Sequence, residues 1–233
     1  MVKTQYEILV GNYGSGKTEI SLNLALEAAA KGYKTALVDL DIVNPYFRSS
    51  AKRSLLEEAG VRVIASAFAN GPVDLPLVPA EVARAFTGED DVVVIDVGGD
   101  PVGATALGRY AADFAKISSQ VQTNFVLNAN RPQTMTLPDI RAMFMMIEDR
   151  SRLKMKWLIN NTNLAEESSG SILLAGQKLA EEAGSALNVP VRYITGYEPV
   201  LNDFRKLTEH NQQKVQGELK TIVTRLRPEW FKY

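Results

Sequence analysis

Short apolar runs alternate with longer segments of mixed polarity along most of the chain. Several of these runs are apolar at every position, as in the stretch 92–95, Val-Val-Val-Ile. Strands that are buried on both faces of a parallel sheet have this continuous pattern. The pattern predicts strands at 5–10, 35–39, 61–65, 91–96, 123–128, 155–160 and 189–194.

The segments between these strands have the apolar spacing of helices. They predict helices at 16–31, 48–59, 80–87, 102–113, 133–149, 168–187 and 204–226. Gly32 and Gly60 stand just past the first two, where glycine commonly ends a helix. Regular alternation of strand and helix predicts an α/β fold, a doubly wound, mostly parallel sheet of about seven strands with helices on both faces. We expect a single domain over 1–233.

The last predicted helix, 204–226, has an apolar stripe. Its members are Val215, Leu219, Ile222, Val223 and Leu226. Most amphipathic helices pack such a stripe onto their own protein, so we expect it to lie against the sheet. The tail 225–233, Arg-Leu-Arg-Pro-Glu-Trp-Phe-Lys-Tyr, leaves a membrane-surface helix as a weaker alternative. We expect His210 to be a solvated helix residue.

The composition is that of an ordinary globular protein, with 45% hydrophobic residues and a net charge of −1. This balance gives no reason to expect a nucleic-acid or membrane partner. Cysteine is absent and His210 is the single histidine, so thiolate catalysis, cysteine-ligated metals and multi-histidine sites are excluded. No apolar run is long enough for a membrane span or a signal peptide, and we therefore expect a cytoplasmic protein.

A phosphate-binding pattern lies directly after the first predicted strand. Residues 11–18, Gly-Asn-Tyr-Gly-Ser-Gly-Lys-Thr, fit G-x-x-x-x-G-K-[ST], in which glycines let backbone N–H groups approach the phosphates. Lys17 is expected to reach the β- and γ-phosphates, and the Thr18 hydroxyl to ligate Mg²⁺. A glycine-rich turn without a ligand is the alternative. The predicted nucleotide-binding residues of this segment are Gly11, Asn12, Tyr13, Gly14, Ser15, Gly16, Lys17, Thr18 and Glu19.

Three aspartates stand at the ends of two predicted strands. Asp96 ends the fourth strand, where P-loop proteins place an acid that supports Mg²⁺, although it also fits a turn. Gly99 follows at a spacing that would let its N–H meet the γ-phosphate, so that its loop senses this group. Asp39 and Asp41 end the second strand and are expected to face the same side. One would support the metal and the other orient the attacking water, or both would simply cap a turn.

Together these segments resemble the MinD/ParA-like ATPases, in the P-loop class that includes the nitrogenase iron protein and dethiobiotin synthetase. The resemblance covers about residues 4–200. Because Ala-Leu-Val-Asp-Leu-Asp-Ile-Val-Asn-Pro is similar to the first switch region of MinD, Asp41 would orient the water and Asp39 would support the metal. By the same resemblance Asp96 would be the Walker B acid. The catalytic residues would then be Lys17, Asp41 and Asp39, and the Mg²⁺ residues Thr18, Asp39 and Asp96.

This resemblance implies bound ATP and Mg²⁺, a homodimer with nucleotide at its interface, and slow hydrolysis that switches the binding of a partner. Members usually read K-G-G-x-G-K-[ST], and the first lysine crosses the dimer to the partner's phosphates. Here the first two of these positions are Asn12 and Tyr13, and an amide cannot neutralise a phosphate. A cation supplied in trans contributes about 10³–10⁵ in rate to related reactions. We therefore expect tight binding with slow hydrolysis, or a substitute cation from Arg48 or Arg131, which also fit ordinary surface positions.

The end of the sixth predicted strand suggests which nucleotide base is bound. GTPases read guanine with N-K-x-D, whereas residues 160–163 here are Asn-Asn-Thr-Asn, without the acid. MinD-like relatives contact adenine with an asparagine at this strand end, so the resemblance favours ATP, with Asn161 as the contact. The alternative is that these asparagines only cap the turn before the next helix.

Three functions stay open. The first is a dimeric ATP-dependent switch that regulates or loads another protein. The second is an ATP-dependent small-molecule enzyme similar to dethiobiotin synthetase or the cobyrinate amidases, in which the proline-containing loop 66–79 or helix 102–113 would line the substrate site. The third is a nucleotide-binding module without turnover, which fits Asn12 and Tyr13. Loop 66–79 also fits an ordinary surface loop.

Overall fold

One parallel sheet contains every strand of the residues that the structure, a computed structural model, describes; these residues are 3–41, 50–65, 82, 85–86 and 88–225. The strands are β1 (Gln5–Gly11), β2 (Thr35–Leu40), β3 (Val61–Ala65), β4 (Val92–Val97), β5 (Val121–Leu127), β6 (Trp157–Asn160), β7 (Val191–Gly196) and β8 (Glu218–Thr221). Their order across the sheet is β3-β2-β4-β1-β5-β6-β7-β8. The predicted α/β fold with a doubly wound parallel sheet is confirmed, with eight strands rather than about seven.

The strand order places the end of β1 at the switch point of the sheet. β1 pairs with β4 on one side and with β5 on the other. In sheets of this kind ligands bind beyond the carboxyl ends of the strands at such a point. The segment directly after β1 therefore lies where a ligand is expected.

Helices cover both faces of the sheet, as predicted. They are α1 (Lys17–Ala30), α2 (Ser50–Glu58), α3 (Pro101–Gly108), α4 (Ala111–Lys116), α5 (Leu137–Ser151), α6 (Gly170–Leu187) and α7 (Glu198–His210). On one face α1 and α2 pack through Ile20 and Leu56 against core residues such as Leu37. On the other face α5 and α6 pack through Phe144 and Leu173. Burial of these apolar faces is the main stabilising term of the layered fold.

The predicted helix 102–113 is two helices in the structure. It is broken at Arg109 and Tyr110, between α3 and α4. The break follows Gly108, where a side chain would meet the carbonyl of Arg150 at 2.5 Å. The glycine therefore allows the end of α3 to approach the end of α5 closely.

The prediction of a long C-terminal helix over 204–226 was wrong. The helix α7 ends at His210, which is exposed as expected. Gln212 and Gly217 have φ values of 50° and 110°, which a continuing helix does not allow. The apolar residues that suggested one stripe are divided between the two faces of the sheet, because Leu219 packs on one core cluster and Ile222 on the other.

Some predictions fall outside the described residues. They concern Arg48, the loop 66–79, most of the helix 80–87, and the tail after Arg225. No helix of the described chain is long and apolar enough to cross a membrane. That 1–233 forms a single domain stays a prediction.

Candidate functional site

The predicted phosphate loop lines a cleft of about 560 Å³ at the carboxyl edge of the sheet. Its volume is typical of sites for small ligands, which occupy about 300–1,000 Å³. Part of the lining comes from the phosphate loop, the start of α1 and the loops after β2, β4 and β5: Tyr13, Gly14, Gly16, Lys17, Thr18, Glu19, Asp41, Gly99 and Arg131. The rest comes from the segments at and after the ends of β6, β7 and β8: Asn161, Thr162, Asn163, Ser168, Gly196, Tyr197, Val200 and Ile222. The structure thus brings most of the predicted site residues around one space.

The loop turns into α1 at Gly16. This residue has φ 92°, a left-handed value that favours glycine. A side chain at this position would also collide with the Asn161 amide. The turn is closed by hydrogen bonds from the Ser15 N–H to the Asn12 carbonyl, 3.1 Å, and from the Ile20 N–H to the Gly16 carbonyl, 3.1 Å. Because α1 begins here, the N–H groups of its first turn lie beside the cleft and suit an anion.

Lys17 is held against its own loop. Its Nζ donates to the Asn12 carbonyl at 2.9 Å, and the residue is only 6% exposed. Burial lowers the pKa of this ammonium below its ordinary value, and the carboxylates nearby, chiefly Asp96, oppose that shift. A bound triphosphate would oppose it further, because negative charge favours the protonated amine.

Asp96 lies beneath the cleft at the end of β4 and is 1% exposed. It accepts hydrogen bonds from the Thr18 side chain and from the Ser21 hydroxyl, the latter at 3.3 Å. Burial raises the pKa of the Asp96 carboxyl to about 6, although the Lys17 charge acts in the opposite direction. The contact with Ser21 was not predicted, since nothing in the sequence marks that serine.

The Thr18 hydroxyl and the Asp96 carboxylate are suited to Mg²⁺. This ion is commonly held by one or two protein oxygens, with waters and phosphate oxygens as the remaining ligands. Among the described residues no cluster of three or more His, Cys, Asp or Glu side chains forms a protein cage for a metal. These donors therefore fit a Mg²⁺ ion that binds together with a nucleotide. Asp39 is the third residue predicted to support this ion.

Asp39 and Asp41 occupy different places. Asp39 is paired in register with Asp96 and is 1% exposed. Its Oδ1 accepts a hydrogen bond of 2.9 Å from the Asp41 N–H, as a turn aspartate does. Asp41 lines the cleft, and its carboxylate lies beside Gly98, where a Cβ would be 3.2 Å from Oδ1. Of the two, Asp41 has the position that suits a water-orienting group.

The loop after β4 touches the phosphate loop at Gly99. A Cβ at this residue would meet the backbone N and Cα of Tyr13 at 2.5 and 2.6 Å. The following residue, Asp100, caps α3 by accepting a hydrogen bond of 2.7 Å from the Gly103 N–H. The backbone of Gly99 is therefore close enough to the phosphate loop to respond to the contents of the cleft.

Asn161 connects the phosphate loop with the end of β7. Its Nδ2 donates to the Ser15 carbonyl at 2.7 Å, and its Oδ1 accepts from the Thr195 hydroxyl at 2.7 Å. The predicted adenine contact is thus bound to the protein itself and positions the loop. The contact of Thr195 with Asn161 was not predicted.

The two residues that depart from the resembled pattern differ in exposure. Asn12 is 4% exposed, whereas Tyr13 is 68% exposed at the mouth of the cleft. Of the two proposed substitute cations, Arg131 lies at the loop and donates from Nε to the Gly14 carbonyl at 3.0 Å. Position 12 therefore carries no charge and is enclosed, while a cation from the loop after β5 adjoins the phosphate loop.

The switch-point location, the glycine loop and the buried acid at the end of β4 define a P-loop NTPase domain. A family model described as CbiA, the CobQ/CobB/MinD/ParA nucleotide binding domain, matches residues 9–227. The chain belongs to this family. Such domains bind a nucleotide and, in general, Mg²⁺ with it.

Solved structures with a similar fold include FtsY proteins. Chloroplast FtsY from Physcomitrella patens is 17% identical with a TM-score of 0.53, over 82% of this chain and 57% of that one. FtsY from Mycoplasma mycoides is 21% identical with a TM-score of 0.47, over 82% and 59% of the two chains. The chain therefore spans less than two thirds of these proteins, and the likeness concerns the fold. No curated protein sequence matches the chain.

Proposed function

We propose that the protein binds Mg·ATP and hydrolyses it slowly, as a nucleotide switch that dimerises and regulates or loads a partner. The observation that carries this proposal is the grouping of Lys17, Thr18 and Asp41 around one cleft, with Asp96 directly beneath Thr18. An ammonium and backbone amides suit the phosphates, a hydroxyl and a carboxylate suit Mg²⁺, and a second carboxylate suits an attacking water.

The preference for ATP rests on the wall of the cleft that the segments at and after the ends of β6, β7 and β8 form. Guanine is recognised by a carboxylate that accepts from its ring N–H and amino group. Among the described residues of that wall, the side chains are amides, hydroxyls and apolar groups, and none is acidic. Val200 and Ile222 supply apolar surface suited to a flat base. Adenine can be bound there by backbone groups and stacking without an unpaired acceptor.

The proposed dimer interface is the carboxyl edge. Three large apolar residues are exposed on the loops and helix starts that follow strands at this edge: Tyr13 at 68%, Val102, in the first turn of α3, at 52%, and Met135 at 56%. Two of these loops meet where Gly99 contacts Tyr13. Contiguous exposed apolar patches are typical of interaction surfaces, and Tyr13 also lines the cleft. A second copy on this edge would cover the nucleotide and exclude water from it.

The test is calorimetric titration with Mg·ATP and Mg·GTP, combined with light scattering and ATPase rates over a range of protein concentrations. We expect ATP to bind more tightly than GTP and to cause a doubling of mass. Lys17→Ala should abolish binding, whereas Lys178→Ala, the same charge change on the exposed surface of α6, should not. No heat with either nucleotide would contradict the proposed function, and a mass that stays monomeric would contradict the switch.

Two alternatives make different predictions in the same experiment. A small-molecule enzyme would hydrolyse little ATP until a substrate raises turnover by orders of magnitude. A module without turnover would bind Mg·ATP but release no phosphate. The enclosure of the uncharged Asn12 favours the second of these alternatives over fast hydrolysis.

A further inference from the structure

The cleft contains a cation that the family pattern does not include. Besides Lys17, Arg131 is the basic residue among the described lining of the cleft. Its place in the sequence is 114 positions after Lys17, in the loop that follows β5. Because Asn12 is enclosed, a charge that assists phosphate chemistry has to come from another position of the chain or from a partner.

Arg131 is held in place by its own backbone. Its N–H donates to the Asn128 carbonyl at 3.1 Å, and its carbonyl accepts from the Thr134 N–H at 2.8 Å. The Thr134 hydroxyl donates in turn to the Asn128 carbonyl at 2.7 Å. Pro132 begins the short 3₁₀ turn that these bonds close. The base of the side chain is therefore anchored in a defined loop.

The guanidinium lies on the phosphate loop itself. Nε donates to the Gly14 carbonyl at 3.0 Å. A Cβ at Gly14 would lie 3.2 Å from Nε and 3.3 Å from Cζ, so the group packs against the glycine without a side chain between them. Arginine has four further N–H donors on its two terminal nitrogens. Within the described part of the chain, Arg131 makes no ion pair that would neutralise it.

We propose that Arg131 is a phosphate-contacting catalytic residue supplied in cis. Its terminal nitrogens donate to the phosphates of the bound triphosphate, where they supply the charge that an uncharged residue 12 cannot. This role rests on the proposed nucleotide binding. A guanidinium suits this task because its planar donors pair with phosphate oxygens and it stays protonated.

The reaction that this charge assists is hydrolysis of the terminal phosphate. The oxygen of water forms a bond to the γ-phosphorus as the bond from that phosphorus to the bridging oxygen breaks. The electron pair stays on the β-phosphate of ADP, and the proton of the water passes to solvent, giving ADP, phosphate and H⁺. Arg131 neutralises the charge that develops on the phosphate oxygens and is itself unchanged.

A cation supplied in cis makes the chemical step independent of a second copy. Each chain then carries both Lys17 and Arg131, so the rate per chain does not rise when dimers form. Association would control partner binding, while the hydrolysis rate would be a property of the single chain. This separates the present proposal from a catalytic cation contributed across the dimer.

The test compares Arg131→Ala and Arg131→Lys with Arg150→Ala, which removes the same charge from an exposed site at the opposite end of α5. We expect Arg131→Ala to lower kcat by about 10²-fold or more, by analogy with other cations at transferring phosphates. Affinity for Mg·ADP should change less than about threefold, since the γ-phosphate is absent. Arg131→Lys, or free guanidinium added to Arg131→Ala, should restore part of the rate, and Arg150→Ala should match the parent.

Binding of a non-hydrolysable ATP analogue provides a second measurement. In the parent this analogue should bind more tightly than Mg·ADP, and Arg131→Ala should remove the difference. A kcat within about threefold of the parent, or equal losses of ADP and analogue affinity, would show that Arg131 only braces Gly14 and would overturn the proposal. If the parent hydrolyses no ATP, the catalytic role is overturned, and the two affinities decide only whether Arg131 contacts the γ-phosphate. If the parent binds neither ligand, the proposed function itself fails.

Discussion

The side-chain amide of Asn161 donates a hydrogen bond of 2.7 Å to the carbonyl of Ser15, a residue 146 positions away in the chain. Its amide oxygen is oriented by the Thr195 hydroxyl, also at 2.7 Å. The loop after β6 and the end of β7 therefore hold the middle of the phosphate loop. The shape of the phosphate site depends on the far half of the sheet.

Asn161→Asp should disrupt this connection. A carboxylate cannot donate to the Ser15 carbonyl, and two oxygens would face each other in a buried place. The loss of a buried hydrogen bond with an unsatisfied partner costs about 1–3 kcal/mol. We expect a lower free energy of unfolding and nucleotide affinity reduced about tenfold, by denaturation and calorimetry. Asn202→Asp, the same change on the exposed side of α7, is the control, and equal affinities of the two variants would refute the connection.

The buried carboxyl of Asp96 predicts a pH dependence of stability in nucleotide-free protein. Its pKa is raised from 3.8 to about 6, so between these values the native state binds more protons than the unfolded state. Stability should therefore fall as pH rises through this window, by up to about 3 kcal/mol. We expect urea denaturation to show that Asp96→Asn lacks this fall.

A surface variant controls for the other titrating groups. Asp149→Asn removes an exposed carboxylate of α5 and is the charge-matched control for Asp96→Asn. The informative quantity is the difference in unfolding free energy between the parent and Asp96→Asn. If that difference is the same at pH 4 and pH 7.5, the burial of Asp96 does not have the expected effect.

Gly99→Ala should force two loops apart. The added Cβ would lie 2.5 Å from the Tyr13 backbone N, a contact that no side-chain rotation relieves. Overpacking of this kind costs about 1–3 kcal/mol. We expect a lower melting temperature together with at least tenfold weaker binding of Mg·ATP.

Gly60→Ala is the control for that variant. In contrast to Gly99, Gly60 has a left-handed φ, 82°, and nothing lies within 4 Å of the position of its Cβ. It should lose about 1 kcal/mol through backbone strain and keep its nucleotide affinity. Unchanged affinity in Gly99→Ala would mean that the loop after β4 does not influence the phosphate loop.

Asn23→Ala should loosen the segment after β8. The Asn23 side chain donates to the Val223 carbonyl and accepts from the Val223 N–H, both at 2.9 Å. This pair fastens the segment to α1 directly after Ile222, which lines the cleft. We expect faster hydrogen exchange at the Val223 amide and a several-fold loss of ATP affinity, with Asn202→Ala unchanged. If the Val223 amide exchanged at the same rate as in the parent, β8 alone would hold Ile222 in the lining of the cleft.

The seven predicted strands were found because each contains a cluster of apolar residues, which in several of them is continuous. Strand β8 has only Leu219 as an apolar residue, between charged and polar neighbours. The apolar residues around β8 have helical spacing. The same spacing also suits an extended segment whose apolar residues pack on opposite faces of the sheet, as Leu219 and Ile222 do. Periodicity alone could not separate these two possibilities.

The site was predicted where its residues are neighbours in the sequence. The phosphate loop is a single continuous segment, and Asp96 is recognisable from the strand before it. By contrast, the contacts of Ser21 with Asp96 and of Thr195 with Asn161 depend on tertiary packing. Serine and threonine occur at many positions for many reasons, so their types alone do not indicate such roles.

The small size of β8 limits how two copies of the protein can meet. It is an outer strand of four residues, and Glu218 and Lys220 place opposite charges along it. Short, charged margins are poor templates for adding another backbone. Sheet-to-sheet extension through this margin is therefore disfavoured.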